Sequence, residues 1–400
     1  MNIHKPTIFF ALGLSLSLAM TGCGDYFDLK DNPNQVTSPS LNSLLTTATH
    51  KTGINNFRIA YTTTYYTQYV ASPGTSSPTD IYDDTNPKSS WDGINFALAD
   101  LHDLAQYAQA QEDYPYLGVA QLLTAYNVGL LADHWGAAPF SDAYGKSQTL
   151  TPKDDSEEQL YQSQLEYITL GIENLKKESA NTINPSADLI HAGNKEAWIK
   201  TGYALQARLL NKISKKASYD PDKVRQAIAL SYVSNADEAQ MAVFNGISSW
   251  ANVARDNLNL NLDGWLSDNF INQLNGTTYG VFDPRIEKIT DKTIHGTYVG
   301  TRNGQGNVGA ANTIKDECYI SMNSPLTAEN AAITLVSYAE VLFMEAEAAF
   351  RANDKDAAYE AYRKGIKANM DKLGVAATAR DSYLASTVVA QSAAAVTLAQ

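Results

Sequence analysis

Residues 339–366 read AEVLFMEAEAAFRANDKDAAYEAYRKGI, and this stretch decides the fold class. The pair Asn353-Asp354 divides it into two parts that both have helical character, the second running from Asp356 to Ile366. Apolar side chains in and just before the first part recur at the spacing of one helix face: Leu335, Tyr338, Ala339, Leu342, Ala346, Ala349 and Phe350. We expect two antiparallel helices joined by a tight turn.

This helix pair resembles one tetratricopeptide unit. In such a unit, small residues stand where two helices touch and large residues stand where they interlock. The packing positions are filled here by Leu342, Ala346, Ala349, Ala358, Tyr362, Gly365 and Ile366, with Asn353 at the turn.

Helical spacing continues through most of the chain after Leu41. Tyr61, Tyr65 and Tyr69 recur every four residues and predict a helix with a tyrosine face. Four further helices are predicted. The first spans 94–107 after a turn at Trp91-Asp92-Gly93, and the second spans 117–131 and is joined to the first near Pro115. The third begins at Thr151-Pro152 with Asp154 and Asp155 and carries Tyr161 to Leu175, and the fourth begins at Asn194 and carries Trp198 to Ile213. The predicted fold class is therefore all-α.

Two long segments lack this spacing. Residues 72–90 contain three prolines and the polar residues Asp80, Tyr82, Asp83 and Asp84. Residues 245–326 are dense in Gly, Asn, Thr and Asp, and within them 265–274 has a helical pattern. Loops of this length within a folded domain usually serve a function, so both are candidates for ligand contact.

The N-terminus carries an export signal. Lys5 precedes an uncharged apolar run from Ile8 to Met20, followed by Met20-Thr21-Gly22-Cys23. The run is too short to span a bilayer as a helix, and the small residues before Cys23 suit a lipobox. We predict a signal peptide at 1–22, lipidation of Cys23 by diacyl (palmitate-type) chains, a tether at 23–40 and a helical domain at 41–400. The alternative is an ordinary signal peptide with an incidental cysteine.

Composition narrows the class of partner. The net charge is −13, which argues against nucleic acid and against a face lying on anionic lipid, so membrane contact is expected through the lipid anchor alone. Cys318 is the other cysteine, so no disulfide framework is expected. The chain has 23 tyrosines, residues suited to helix packing, to stacking on sugar rings and to contacts with a protein partner.

The sequence predicts no cofactor, metal or catalytic residue. Residues 304–309 read GQGNVG, but no apolar strand precedes them and no helical pattern follows, so we interpret them as a loop. The six histidines form no zinc-site spacing, and His134 is expected to end a helix. No G-x-S-x-G elbow occurs, and no pair among 43 acidic residues stands out for glycoside hydrolysis.

Several motifs together resemble the SusD/RagB family of lipid-anchored nutrient-binding proteins. They are the lipobox, residues 118–143 (GVAQLLTAYNVGLLADHWGAAPFSDA), Asp283-Pro284-Arg285, and Ser337 to Glu340 followed by Ala346-Glu347-Ala348. The pattern D-x-W-G-x-x-P-F-x-x-A is the most specific of these. We interpret Asp283-Pro284-Arg285 as a structural turn in which Arg285 bridges a carboxylate or a helix end.

The resemblance implies four tetratricopeptide-like helix pairs with irregular loops forming the ligand face. It also implies a surface-exposed position at the outer membrane, where the protein acts as a lid on a TonB-dependent SusC-like barrel and captures glycans or other oligomers. Members of the family usually continue with an aromatic and basic C-terminal segment. Here an Ala-rich run, predicted helical, reaches Gln400, so we expect that segment to be missing.

For the ligand face we select four aromatic residues and two polar partners. Sugars are held by aromatic planes against their C–H faces and by amides or carboxylates at their hydroxyls. The selected residues are Tyr82, Trp91, Trp250, Trp265, Asp80 and Asn252, with Trp91 serving either the ligand face or the core. Alternatives are a peptide-binding member of the family, an exported glycan-cleaving enzyme, and a structural scaffold.

Overall fold

The computed structural model describes residues 39–146, 149–258, 264–308 and 316–398. The predicted signal peptide, Cys23 and the tether up to residue 38 lie outside the described residues, as does Gly309 of the glycine-rich loop.

Helices make up most of the described chain, which confirms the all-α prediction. They are α1 (Leu41–Tyr66), α2 (Lys88–Ala110), α3 (Tyr114–Trp135), α4 (Glu157–Lys176), α5 (Lys195–Lys212), α6 (Pro221–Ala229), α7 (Ser249–Leu258), α8 (Asp268–Leu274), α9 (Ile286–Ile289), α10 (Tyr338–Arg351), α11 (Lys355–Lys372) and α12 (Ala377–Leu384). The short strands are β1 (Val70–Ala71), β2 (Ala138–Pro139), β3 (Asp154–Asp155), β4 (Ala239–Met241), β5 (Trp265–Leu266) and β6 (Ile333–Val336).

Consecutive helices pack side by side in four pairs: α1 with α2, α3 with α4, α5 with α6, and α10 with α11. Each pair also contacts the next, and α10 closes the stack against α5 and α6. This is the tetratricopeptide-like arrangement of helix pairs that was expected. The segment between β4 and β6 is the long irregular excursion.

Two of the connections between consecutive helices are built in the same way. Glu112 (φ 54°) and Asn353 (φ 64°) take the left-handed conformation that ends α2 and α10. In each case the next residue, Asp113 or Asp354, caps the following helix with its carboxylate. The predicted tight turn at Asn353-Asp354 is therefore confirmed.

The middle of the stack depends on glycines at helix crossings. A Cβ atom on Gly118 of α3 would lie 2.6 Å from Leu175 Cγ and 2.8 Å from the Gly171 carbonyl oxygen of α4. A Cβ atom on Gly202 of α5 would lie 2.6 Å from Ile172 Cγ1 of α4. Real Cβ contacts are longer than these distances. The absence of a side chain at Gly118 therefore lets the backbones of α3 and α4 approach closely, and its absence at Gly202 makes room for the Ile172 side chain.

A buried polar network fixes the start of α5. Asp188 is 2% exposed; its Oδ2 atom accepts from Trp198 Nε1 at 2.7 Å, and its Oδ1 atom accepts from the backbone N–H of His191 at 3.1 Å. His191 Nε2 lies 2.7 Å from Thr201 Oγ1, which is in turn 2.9 Å from the Tyr232 hydroxyl. Burial lowers the pKa of His191 to about 4, although the charges of Asp188 and Asp237 act in the opposite direction.

The excursion ends where β6 pairs antiparallel with β4. Directly before β4, the buried carboxylate of Glu238 accepts from the backbone N–H of Tyr338 at 2.8 Å and forms an ion pair with Lys372. This carboxylate therefore joins β4 to the start of α10 and the end of α11.

Several predicted helix boundaries were wrong. Asp154 and Asp155 form β3 rather than opening α4, which begins at Glu157. Ser156 caps α4 by accepting from the Gln159 N–H, and the Gln159 side chain accepts from the Ser156 N–H in return. Trp91-Asp92-Gly93 is not a turn, because α2 already begins at Lys88. The chain past α12 is not a continuous helix, since the described residues there contain a short 3-10 turn at Ala393–Ala395.

The excursion also differs from its prediction. Trp265 and Leu266 form β5 instead of a helix, and the helix α8 starts at Asp268. Two helices, α7 and α9, were missed, because α7 is short and α9 spans 4 residues, too few to show a helical period. None of the helices in the described ranges is both long enough and apolar enough to cross a bilayer.

The crossing of α3 and α4 predicts a stability effect. Gly118→Ala should lower the free energy of unfolding by about 2 kcal/mol, because overpacking against the α4 backbone outweighs the gain in helix propensity. Gly129→Ala in the same helix is the matched control, since its Cβ would meet the end of the Gln164 side chain, at 2.8 Å, and not backbone. Urea titration of both variants measures the difference, and equal stabilities would contradict the close-packing account.

The buried His191 predicts a pH effect. An unfolded chain protonates this imidazole near its ordinary pKa of 6.5, whereas the folded chain does so only near pH 4. Folding therefore loses stability as the pH falls from about 6.5 to about 4. In urea titrations across this range, His191→Gln should flatten the decline, and parallel curves for the two proteins would show that the imidazole is not held neutral.

Candidate functional site

The C-terminal end of α1 gathers the irregular segments. Gln68 (φ 57°) reverses the chain there, with its N–H donating to the Tyr65 carbonyl at 3.0 Å and the Tyr69 N–H donating to the Thr64 carbonyl at 2.9 Å. The strand β1 follows at once and pairs antiparallel with β5 of the excursion. Tyr69 therefore lies beyond the helix rather than on its predicted tyrosine face.

Asp80 connects two loops at this end. It is 6% exposed, and its Oδ2 atom accepts from the N–H groups of Ser72 at 2.7 Å and Gly304 at 3.2 Å. Its Oδ1 atom accepts from Asn303 Nδ2 at 3.0 Å. Both oxygens of this predicted ligand partner are thus engaged with protein donors that hold 72–87 against 301–308.

The glycine-rich segment serves the same pairing. Ser76 N–H donates to the Gly304 carbonyl at 2.9 Å, and Asn307 N–H donates to the Pro73 carbonyl at 3.0 Å. Gly306 has φ 74°, and a Cβ atom there would lie 2.7 Å from the Pro73 oxygen. The described part of GQGNVG is thus a loop that lies against the 72–87 loop.

Tyr82 presents its ring on the surface of this loop pair. Its side chain is 62% exposed, while its hydroxyl donates to the Tyr66 carbonyl at 3.0 Å and lies 3.5 Å from Gln68 Nε2. The rings of Tyr82 and Tyr66 are 5.9 Å apart. We call Tyr66, Gln68 and Tyr82 the tyrosine rim, which combines an exposed aromatic face with a neighbouring amide.

Trp250 and Asn252 lie on α7. The Trp250 ring contacts Phe57 edge-on, with centroids 5.0 Å apart, and lies 6.5 Å from Tyr61 on α1. Trp250 is half-buried by these contacts, whereas Asn252 is exposed.

The other two tryptophans are more enclosed. Trp91 is half-buried on α2 and packs edge-to-face with Trp135, at 5.2 Å, beside one of the core clusters. Trp265 in β5 is 3% exposed, and its ring lies 5.8 Å from that of Tyr319. Of the six residues predicted for the ligand face, Tyr82 and Asp80 therefore share one loop, and the three tryptophans contact three different sets of residues.

Sequence reasoning missed Tyr66 and Gln68, the residues against which Tyr82 is held. They follow the predicted tyrosine face directly, but neither stands at its four-residue spacing. Their part in the rim depends on where α1 ends and on the left-handed Gln68, which a periodic pattern does not report.

Other residues that the sequence singled out have structural positions. Arg285 forms an ion pair with Asp283 and donates from Nη1 to Asn369 Oδ1 at 3.0 Å, which confirms the structural turn. His134 lies in the last turn of α3, as expected, and burial lowers its pKa. Within the described residues, no three His, Cys, Asp or Glu side chains are grouped to hold a metal ion.

Comparison with known proteins agrees with this architecture. A family model for SusD-like proteins, described as "Starch-binding associating with outer membrane", matches residues 33–400. The chain belongs to this SusD-like family, which confirms the resemblance drawn from its motifs. No curated protein matches the sequence.

Solved structures share the fold at low sequence identity. A SusD homologue from Parabacteroides distasonis has a TM-score of 0.74 at 18% identity, covering 87% of this chain and 76% of that one. A SusD/RagB family protein from Bacteroides thetaiotaomicron has a TM-score of 0.67 at 21% identity, covering 87% of this chain and 79% of that one. A chitin-binding SusD homologue from Flavobacterium johnsoniae has a TM-score of 0.71 at 20% identity, covering 86% of this chain and 73% of that one.

The role of Asp80 in pairing the loops predicts a local effect. Asp80→Asn replaces one acceptor oxygen by an N–H donor that faces other donors, so the loop pair should open more often. Amide hydrogen exchange at 72–80 and 302–306 should accelerate by about ten-fold or more, the equivalent of about 1.4 kcal/mol of lost protection. Asp83→Asn is the control, because Asp83 Oδ1 accepts only locally, from Asp84 N–H at 2.8 Å, among its described bonds. Unchanged exchange in Asp80→Asn would contradict this role.

Proposed function

We propose that this protein is an outer-membrane lipoprotein that captures oligomeric nutrients, above all glycans, and delivers them to a TonB-dependent SusC-like transporter. Membership of the SusD-like family supports a nutrient-binding role at the outer membrane. The proposal is for a binding protein and not an enzyme.

The observation that carries the glycan proposal is the geometry of Tyr82. A solvent-facing aromatic ring normally loses rotamer freedom when it binds a ligand, which reduces affinity. Here the hydroxyl is already held by the Tyr66 carbonyl at 3.0 Å, so the 62% exposed ring is ordered in advance. Such a ring can stack on the C–H face of a sugar while the Gln68 amide bonds a hydroxyl.

The names of related structures support the ligand class. Two of the similar solved structures are named as chitin-binding, one of them the SusD homologue from Flavobacterium johnsoniae. Chitin is an uncharged sugar polymer, and a chain with a net charge of −13 is suited to ligands that carry no negative charge. We therefore place neutral oligosaccharides first among its ligands.

The anchoring part of the proposal rests on the lipobox. Acyl chains on Cys23 would hold the domain at the outer membrane, because two or more chains give stable attachment where one is marginal. The transporter part rests on the family, whose description places its members in association with the outer membrane. A surface-exposed position would bring the ligand face to its substrate.

The proposal predicts the behaviour of one aromatic substitution. Tyr82→Ala should weaken oligosaccharide binding by about five-fold or more, because stacking of an aromatic ring contributes about 1 kcal/mol or more beyond simple burial. Phe96→Ala is the matched control, since Phe96 lies on α2 and is also 62% exposed. Isothermal titration of the full chain in detergent with chito- and malto-oligosaccharides measures both.

Two results would contradict the proposal. Binding of peptides with no response to any glycan would place the protein in a different ligand class. New reducing ends released from a polysaccharide by the pure chain would show that it is an enzyme.

A further inference from the structure

A cavity of about 610 Å³, lined by both apolar and polar side chains, lies between the excursion and the helical stack. Its size falls within the roughly 300–1,000 Å³ typical of small-molecule sites. We propose that this cavity is a second ligand site, separate from the tyrosine rim, that takes a short, uncharged, hydroxyl-rich ligand such as one end of an oligosaccharide. The ligand class rests on the proposed function, whereas the location rests on the cavity itself.

One wall of the cavity is aromatic. Tyr69 and Phe270 both line it, with ring centroids 5.0 Å apart and planes inclined by 59°. Tyr69 is 53% exposed, so its ring is not buried in the core and one face is accessible to a ligand. Two inclined rings form a corner in which a sugar ring can contact one face while its edge meets the other.

The lining also supplies neutral hydrogen-bonding groups. Asn369 of α11 accepts from Arg285 Nη1 at 3.0 Å through Oδ1, which fixes the orientation of the amide. Its Nδ2 atom donates to no group among the described residues and can bond a ligand. Gln273 of α8 adds a second amide to the lining. Planar amides on rigid helices suit the paired hydroxyls of a sugar.

Each charged side chain of the lining is paired with a side chain of opposite charge. Arg285 is paired with Asp283 and Lys372 with Glu238. The third, Glu340, is bound by Arg208 at 2.6 Å and 2.8 Å. An ionic ligand would have to give up its hydration without finding an unpaired opposite charge, which is unfavourable. The cavity therefore favours a ligand that is polar but uncharged.

The cavity adjoins the tyrosine rim along the chain. Tyr69 follows Gln68 directly, so the left-handed turn at the end of α1 lies between the two surfaces. The rim presents Tyr66 and Tyr82, whereas the cavity uses Tyr69 with residues of α8, α10 and α11. Separate substitutions can therefore test the two sites.

Photo-crosslinking locates the ligand directly. The full chain in detergent is irradiated with diazirine derivatives of chitotriose and maltotriose, and the labelled peptides are identified by mass spectrometry. We expect label on peptides that contain Phe270, Gln273 or Asn369. Asn369→Leu keeps the branched shape and the number of heavy atoms of the side chain but removes the amide, so label in these peptides should fall about ten-fold, as expected for a lost hydrogen bond and its desolvation.

Two controls keep the result interpretable. Gln273→Ala, on the partly exposed face of α8, should also reduce cavity label and replaces Asn369→Leu if that variant fails to fold. Tyr82→Ala should leave label at Tyr69, Phe270, Gln273 and Asn369 unchanged while reducing label at the rim residues Tyr66 and Gln68.

Label confined to the rim residues Tyr66, Gln68 and Tyr82, or cavity label unaffected by both amide substitutions, would overturn the second site while leaving the proposed function intact. The absence of any label together with the absence of calorimetric binding would overturn both.

Discussion

The close approach of α3 to α4 is the constraint on which the rest of the molecule depends. At Gly118 and Gly171 the two backbones come so near that a methyl group would not fit, and at Gly202 of α5 the space of a side chain is filled by Ile172 of α4. The long helices can therefore stack in register and fix the ends of α1 and α10. Because the irregular segments are attached at those ends, the geometry of any ligand face follows from the helix crossings.

Buried carboxylates make the second set of attachments. Asp80 joins the two loops beside the end of α1, Glu238 joins β4 to α10 and α11, and Asp188 fixes the start of α5. Each accepts backbone N–H groups, so each replaces hydration with several directed bonds and costs little to bury. The excursion thus gains fixed geometry without regular secondary structure, as a rigid recognition surface requires.

The sequence predicted the parts of the structure that obey a period or a local rule. Helical spacing located the main helices, and the break at Asn353-Asp354 separated the two helices α10 and α11. The prediction failed where contacts between residues far apart in the sequence determine the local structure. Trp265 and Leu266 are extended because β1 pairs with them, and Gly93 stays helical although the Trp91-Asp92-Gly93 sequence favours a turn. Of the candidate site, Tyr82 and Asp80 were found as loop residues, but Tyr66 and Gln68 were not, because their position depends on where α1 ends.

We propose that this family member holds sugars on aromatic surfaces at the end of α1. A crystal structure of the chain with a bound chito-oligosaccharide tests it most directly. The account predicts a sugar ring stacked on Tyr82, with carbon atoms within about 4–4.5 Å of the phenol ring. A sugar bound instead against the outer faces of the helix pairs, with the Tyr82 ring bare, would contradict it.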